Sequence, residues 1–128
     1  MYRIDLLSRI PIYEQIIEQT KRFIAAGVLK PGDALPSVRS LSNSLHANPN
    51  TVARAFTELD RAGIICTVQG KGCFVKDDAK KILQIKAKEK LKDVVLLCEE
   101  LIASGVECDE IIAEINKINY NSLNKEDK

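Results

Sequence analysis

The sequence predicts a mainly α fold with a small β hairpin, in which a helical head is followed by a helical tail. Three patterns lead to this expectation. Apolar residues recur at spacings of three and four in three segments before residue 63. Two runs rich in β-branched residues then flank the glycine-containing segment 69–72, which is typical of a hairpin turn. A second helical pattern occupies the chain from residue 79 onward.

The head is predicted to begin with an extended arm and a first helix. Residues 2–7 alternate briefly between apolar and polar side chains, which favours an extended arm. A helix is expected to begin at Pro11, since proline lacks only an N–H that the first turn leaves unpaired. It is expected to end at Gly27, because glycine accepts the left-handed conformation that follows many helices.

Two further helices are predicted, with a tight turn between them. The second begins at Ser37, whose hydroxyl suits an N-cap, and breaks at residues 46–47. The third begins with Asn48 as the cap and Pro49 as its first residue, and it ends at Gly63. Two short helices in this arrangement predict a helix-turn-helix. The side chains of the third helix expected to face inward are Val52, Ala55, Phe56, Leu59 and Ala62.

A β hairpin is predicted directly after the third helix, from residues 64–68 and 73–75. With Gly70-Lys71 as a two-residue loop, Val68 is expected to face Cys73 across the hairpin. A hairpin in this position makes the head a winged helix-turn-helix.

The tail is predicted to contain two helices separated by Gly105. An uninterrupted helix is expected from Ala79 to Ser104, followed by a shorter helix and a polar, disordered end at residues 121–128. The domains are thus a head of residues 1–76 and a tail of residues 77–120. The apolar stripe of the tail is too large for the small head to cover, so we expect it to pair two chains. The residues expected at this dimer interface are Val94, Leu97, Leu101, Ile111 and Ile115.

Charge is distributed unevenly between these two parts. Residues 1–76 carry ten Lys/Arg against six Asp/Glu, a net charge of +4, whereas residues 77–128 carry nine against twelve, a net charge of −3. The segment from Ala34 to Thr57 contains no acidic residue at all. A polyanion is therefore expected to be tolerated by the head and repelled by the tail.

Composition argues against several other classes of protein. The first fifteen residues carry charges and no apolar run, and no segment reaches the roughly 18 apolar residues of a membrane span. A soluble cytoplasmic protein is expected. The sequence shows no Gly-rich phosphate loop and no credible nucleophile–base pair, so we do not expect an enzyme.

No metal or cofactor is expected either. His46 is the only histidine, and the separations between the cysteines do not match the closely paired ligands of a zinc site. In a cytoplasmic protein the cysteines are interpreted as half-buried free thiols. The four cysteines are Cys66, Cys73, Cys98 and Cys108.

Residues 11–75 resemble the DNA-binding domain of the GntR family of bacterial regulators. The matching segments are Pro-Ile-Tyr-Glu-Gln-Ile (11–16), Gly-Val-Leu-Lys-Pro-Gly-Asp-Ala-Leu-Pro-Ser-Val-Arg-Ser-Leu-Ser (27–42), Asn-Pro-Asn-Thr-Val-Ala-Arg-Ala-Phe-Thr-Glu-Leu-Asp-Arg-Ala-Gly-Ile-Ile (48–65) and Gln-Gly-Lys-Gly-Cys-Phe-Val (69–75). The short remainder resembles the YtrA subfamily, in which two helices after the wing pair the protomers. The chain departs from the family pattern at Val38, where many relatives carry Glu, and at Cys73, where Thr is frequent.

Helical periodicity leaves an outward face on the third helix that is uncharged except for Arg54. Such a face suits a major groove, since asparagine pairs with adenine and arginine with guanine through two hydrogen bonds each. The resemblance implies that Arg39 also reaches DNA, and a lysine and a glycine at the wing tip suit contacts with phosphate and with the minor groove. The candidate DNA-binding residues are Arg39, Asn50, Thr51, Arg54, Gln69, Gly70 and Lys71.

The expected function is that of a sequence-specific transcription regulator. Repression is expected because it is the default role in the family that the chain resembles. It is expected to bind double-stranded DNA as a homodimer on a palindromic operator, with the two recognition helices about 34 Å apart or a multiple of that distance. Two alternatives stay open. One is a regulator with a small-molecule effector site at the dimer interface, and the other is a winged helix that binds a protein partner.

Overall fold

Six helices and two strands follow one another in the computed structural model, which describes the backbone of residues 1–126 and the side chains of residues 1–118. The chain divides into two compact units, Met1–Lys86 and the residues from Ala87 onward. The order of the elements is α1 (Ile12–Ala25), α2 (Val38–Leu45), α3 (Pro49–Arg61), β1 (Ile65–Val68), β2 (Gly72–Val75), α4 (Ala79–Glu89), α5 (Leu91–Ala103) and α6 (Cys108–Glu126).

The predicted caps of α2 and α3 are both confirmed. The Ser37 hydroxyl accepts a hydrogen bond from the backbone N–H of Ser40 at 3.0 Å. The Asn48 side chain accepts one from the backbone N–H of Asn50 at 2.8 Å, and Pro49 is the first residue of α3. Each cap pairs an amide that the first helical turn leaves without a partner.

The turn between these two helices depends on a left-handed residue. His46 follows the last residue of α2 with φ 53° and ψ 37°. The backbone N–H of Ala47 donates to the carbonyl of Ser42 at 3.0 Å, which is the long hydrogen bond of a Schellman motif. The chain therefore leaves α2 at an angle fixed by backbone hydrogen bonds.

The core of the first unit is built around α3. Val52, Ala55, Phe56 and Leu59 are buried, as the periodicity predicts, and the predicted fifth inward residue, Ala62, is half-buried. Full burial of a large aliphatic or aromatic side chain contributes about 1.5–3 kcal/mol. The remaining core side chains come from the surrounding elements and loops and are Ile16, Ile24, Leu29, Leu35, Leu41, Ile64, Ile65, Val75 and Ala79.

The N-terminal arm packs along α1. Residues 1–5 form no helix or strand, and the backbone of Arg3 exchanges hydrogen bonds with the side chain of Gln19. The Tyr2 ring meets Phe23 edge-on, with 5.1 Å between the ring centroids, and its hydroxyl lies 2.7 Å from the Thr20 hydroxyl. Burial raises the pKa of Tyr2, and the hydrogen bond with Thr20 opposes this rise.

The hairpin has a longer loop than predicted. Val68 pairs with Gly72, so the expectation that it faces Cys73 is wrong. The backbone N–H of Lys71 donates to the Val68 carbonyl at 2.9 Å, with Gly70 at φ 81° between them. The loop therefore contains three residues, one more than predicted, and Gly72 directly after it also takes a positive φ. The other pairs are Ile65 with Val75, Cys66 with Phe74 and Thr67 with Cys73.

The segment before α2 extends this sheet, which the sequence did not indicate. Ala34 forms an isolated antiparallel bridge with Phe74 of β2. The Leu35 N–H donates to the Cys73 carbonyl, and the Val75 N–H donates to the Asp33 carbonyl, each at 2.9 Å. The hairpin is thus tied by backbone hydrogen bonds to the rest of the first unit.

The prediction of one uninterrupted helix from Ala79 to Ser104 is wrong at Lys90. The backbone N–H of Lys90 donates to Ala87, three residues back, at 3.1 Å, so the regular four-residue ladder is interrupted there. Lys86 lies four residues before Lys90, and a second pair of lysines, 88 and 92, has the same spacing. Like charges at this spacing destabilise a helix, by about 0.2–0.5 kcal/mol per pair.

The first turns of α4 belong to the first unit. Ala79 is buried in its core and Leu83 packs against that core. The Ile82 Cδ1 atom lies 3.5 Å from the position that a Cβ on Gly63 would occupy. Our division into a head of residues 1–76 and a tail of residues 77–120 stays a proposal, and the compact first unit reaches beyond residue 76.

The second unit presents unburied apolar side chains. Within α5, all of which is described, no residue is buried. Across the described residues, no helix combines the length and the apolar character that crossing a membrane requires. Of the end predicted to be disordered, residues 121–128, the backbone is helical as far as Glu126, the last residue of α6. Residues 127–128 lie outside the described residues, and for them disorder stays a prediction.

Candidate nucleic-acid interface

The first two turns of α3 present polar side chains to the surface. Asn50, Arg54 and Thr57 are exposed, while Thr51 and Ala53 are half-buried. The Asn48 side chain pairs with the backbone of Asn50, and the Asn50 side-chain amide takes part in no hydrogen bond within the described residues. The free amides and the dipole of a helix N-terminus also favour an anion here.

The Arg54 guanidinium lies over an aromatic ring of α1. Its guanidinium carbon is 3.8 Å from the centroid of the Tyr13 ring. No local sequence pattern indicates this contact, because Tyr13 and Arg54 are far apart along the chain and only the packing of α1 on α3 joins them.

Arg39 is a further exposed cation, carried by α2. It lies in the first turn of α2, is exposed, and takes part in no ion pair in the part of the chain that the structure describes. Its carbonyl accepts a hydrogen bond from the Ser42 hydroxyl at 3.0 Å, which holds the backbone there. Arg39 and the exposed face of α3 therefore lie on two helices that pack against each other.

The predicted wing tip is exposed. The strand that leads to it is joined to α3 by a hydrogen bond that the sequence did not indicate. Gln69, Gly70 and Lys71 all lie at the surface. The Thr67 hydroxyl donates to the Asp60 carboxylate at 2.8 Å, joining β1 to the last turns of α3. This anchor limits how far the wing tip can move relative to the exposed face of α3.

Acidic groups lie closer to this face than the acid-free stretch of sequence suggested. Glu14 and Glu18 of α1, together with Glu58 of α3, line a shallow groove next to Arg54. Glu58 accepts a hydrogen bond from Arg61 at 3.0 Å, which partly neutralises it. The charge around Arg54 is therefore mixed in space, although the chain from Ala34 to Thr57 contains no acidic residue.

The cysteines are free thiols. Cys66, Cys73 and Cys98 are half-buried, as predicted, but Cys108 is exposed, which contradicts the prediction for that residue. Among the described residues, no group of three His, Cys, Asp or Glu side chains could hold a metal ion.

The residues predicted for the dimer interface are accessible in the single chain. Val94 and Leu101 are 45% and 44% exposed, and Leu97 is 59% exposed. On α6, Ile115 is 45% exposed and Ile111 is half-buried.

Comparison with known proteins supports the interpretation of the first unit as a DNA-binding domain. Residues 12–75 match the model of the family described as "Bacterial regulatory proteins, gntR family". Over 122 residues the chain is 43% identical to the HTH-type transcriptional repressor YtrA of Bacillus subtilis (strain 168), covering 92% of each protein.

Two solved structures show that the similarity extends to the three-dimensional fold. A GntR family transcriptional regulator from Listeria monocytogenes superposes with a TM-score of 0.70 at 33% identity, over 89% of this chain and 98% of that one. The DNA-binding domain of AraR, solved in complex with an operator, superposes with a TM-score of 0.51 at 28% identity, over 56% of this chain and 89% of that one.

Proposed function

This chain belongs to the GntR family and is a DNA-binding transcriptional regulator, and from that premise we propose that it is a repressor reading a specific operator with α3. The observation that carries the proposal is the exposed polar face at the start of α3, with Asn50 and Arg54 one helical turn apart. Repression is proposed because the 43% identical relative is a transcriptional repressor.

Base recognition is assigned to three residues of α3. The Asn50 amide suits adenine and the Arg54 guanidinium suits guanine, each through two hydrogen bonds in the major groove. The methyl group of Thr51 suits contact with a thymine methyl. A correct bidentate pair of this kind discriminates against a wrong base by about 1–3 kcal/mol.

Contacts with the DNA backbone are assigned to Arg39 and the wing. Arg39 and Lys71 neutralise phosphates, Gln69 adds a polar contact, and Gly70 lets the backbone approach the minor groove closely. These contacts add affinity that does not depend on sequence and that falls as salt increases.

The operator is proposed to be a palindrome bound by a homodimer. Leu97 and Leu101 of α5 and Ile115 of α6 are apolar and accessible, and α5 has no buried residue in the single chain. Burying these side chains against a second copy removes apolar surface from water, at about 25 cal/mol per Å². Two heads joined in this way gain affinity through effective concentration, so the tail contributes to operator binding without touching DNA.

The proposed role involves no catalytic step, and we place the protein in the cytoplasm, where the bacterial chromosome lies. An effector that changes the affinity for DNA is compatible with this role and would bind at the interface between the two tails.

Selection of duplexes from a random DNA pool, followed by footprinting on the enriched sequence, tests the proposal. We expect an enriched palindrome whose half-sites are protected symmetrically. The matched control is the double variant N50A/R54A, which keeps the fold and is expected to enrich no sequence. A chain that enriches no duplex, or that protects a single half-site as a monomer, contradicts the proposal.

A further inference from the structure

The contact between Tyr13 and Arg54 joins a residue of α1 to a proposed base-reading residue of α3. The guanidinium carbon lies 3.8 Å from the ring centroid, which is within stacking distance and inside the range of a cation–π contact. The ring is held in place by its packing against the hydrophobic core. The Tyr13 hydroxyl, at the edge of the ring, donates to the neighbouring Glu14 at 3.1 Å.

This contact leaves the hydrogen-bonding edges of Arg54 unused. All five N–H donors of a guanidinium lie in its plane and point outward from its edges. An aromatic ring against the face therefore occupies none of these donors. Within the described residues, no hydrogen bond or ion pair uses the Arg54 guanidinium. An acceptor on a base edge thus meets a guanidinium whose donors are unpaired and whose orientation is already restricted.

The neighbouring carboxylates are competing partners for the Arg54 guanidinium. Glu14, Glu18 and Glu58 line the groove beside Arg54, and each offers an acceptor on a flexible side chain. Without the ring, the long arginine side chain is free to pair with one of them instead of with a base. The ring thus selects among the orientations open to Arg54.

We propose that Tyr13 is a positioning residue for base recognition: its ring holds the face of the Arg54 guanidinium so that the N–H edges project toward a base in the major groove. This inference rests on the proposed function of α3. Because the side chain is ordered before DNA binds, less conformational entropy is lost when the base contact forms.

The test compares Tyr13→Leu with Tyr13→Phe on the selected duplex and on duplexes changed at one base pair. An exposed cation–π contact is worth enough to change affinity about two- to fivefold. We expect Tyr13→Leu to weaken binding to the selected duplex by this factor and to reduce discrimination at the position that Arg54→Ala also affects. Tyr13→Phe, which keeps the ring, is expected to behave like the parent chain.

Two controls separate positioning from a merely structural role. Phe23→Leu removes another ring from the same helix, away from Arg54, and is expected to leave base discrimination unchanged. In the Arg54→Ala background, Tyr13→Leu is expected to have no further effect on discrimination. An equal loss on random DNA, or a further loss in that background, overturns the inference.

A measurement without DNA tests the same geometry. Stacking shifts the NMR signals of the Arg54 side chain upfield through the ring current of Tyr13. We expect this shift to be present in the parent chain and in Tyr13→Phe and absent in Tyr13→Leu. Absence of the shift in the parent chain overturns the inference alone, whereas a parent chain that enriches no duplex overturns the proposed function as well.

Discussion

At the scale of single residues, the interface depends on side chains that are accessible yet held in place. Asn50 and Arg54 lie four residues apart on α3, so their side chains point in similar directions. Asn48 fixes the backbone under Asn50, while Tyr13 restricts Arg54. Lys71 at the wing tip has no such support, which fits a contact with phosphate, where orientation matters less.

Arg54→Ala is expected to weaken binding to the selected duplex by about 1–3 kcal/mol and to relax the preference at one base position, because a bidentate contact is lost. Fluorescence anisotropy on a set of single-base variants measures both effects. The matched control is Arg22→Ala on the last turn of α1, an exposed arginine outside the proposed interface, and no base preference should change. Equal weakening on selected and random DNA would show that Arg54 binds only phosphate.

Lys71→Ala is expected to weaken binding to all duplexes alike, since a phosphate contact carries no sequence information. The slope of log K against log salt should become shallower by about 0.9 for each Lys71 that contacts a phosphate. A salt titration of the binding constant measures this slope. Lys117→Ala in the second unit, where the lysine pairs with Glu114, serves as the control and should leave the slope unchanged. A loss confined to one sequence contradicts the assignment.

At the scale of elements, α2 and α3 are oriented by their ends as much as by their apolar faces. The Ser37 and Asn48 caps fix where each helix begins, and the left-handed residue His46 fixes the angle between them. The hydrogen bond from Thr67 to Asp60 then sets the position of the hairpin against α3. Recognition therefore depends on short hydrogen bonds at element ends, which are exposed to water and individually modest in energy.

Ser37→Ala is expected to destabilise the first unit by about 0.5–2 kcal/mol, because the backbone N–H of Ser40 loses its capping partner. Urea unfolding followed by circular dichroism measures the free energy of unfolding. Ser40→Ala is the matched control on the same helix: its backbone N–H remains, and alanine favours a helix interior, so stability should stay the same or rise. Equal destabilisation by both substitutions would argue against the cap.

At the scale of the whole molecule, DNA recognition and pairing are assigned to different parts of the chain. The first unit has a buried core and an exposed polar face, while α5 in the second unit has no buried residue. A soluble monomer rarely leaves a large contiguous apolar patch in contact with water. The proposal of a dimer follows from this contrast, and affinity for an operator should depend on it.

Leu101→Asp is expected to produce monomers and to weaken operator binding strongly, because a charge cannot be buried at an apolar interface without a partner. Sedimentation velocity and anisotropy measure the two effects. Leu96→Asp is the matched control: Leu96 is 59% exposed, but it lies about 140° away around the helix, on the side that carries Asp93 and Glu100. Dimers that persist in Leu101→Asp contradict the proposed interface.

The helix-turn-helix and its caps could be predicted from the amino-acid sequence alone. Helical spacing identified Val52 and Phe56 of α3 as core residues, and Ser37 and Asn48 marked the helix starts, because these properties depend on neighbours within one turn. The family was identifiable for a related reason, since its residues recur at fixed short spacings. The exposed face of α3 then followed as the complement of its buried face.

Features that depend on distant residues, or on the balance of weak local terms, could not be predicted and emerge from the folded chain. The stack of Tyr13 on Arg54 and the acidic groove beside it arise where α1 packs on α3, which no local pattern encodes. The three-residue loop of the hairpin and the interruption of the tail helix at Lys90 departed from the prediction. At Lys90 the local term is weak, since a pair of like charges destabilises a helix by only about 0.2–0.5 kcal/mol. Periodicity reports which face of an element is apolar, but it does not report which element that face will meet.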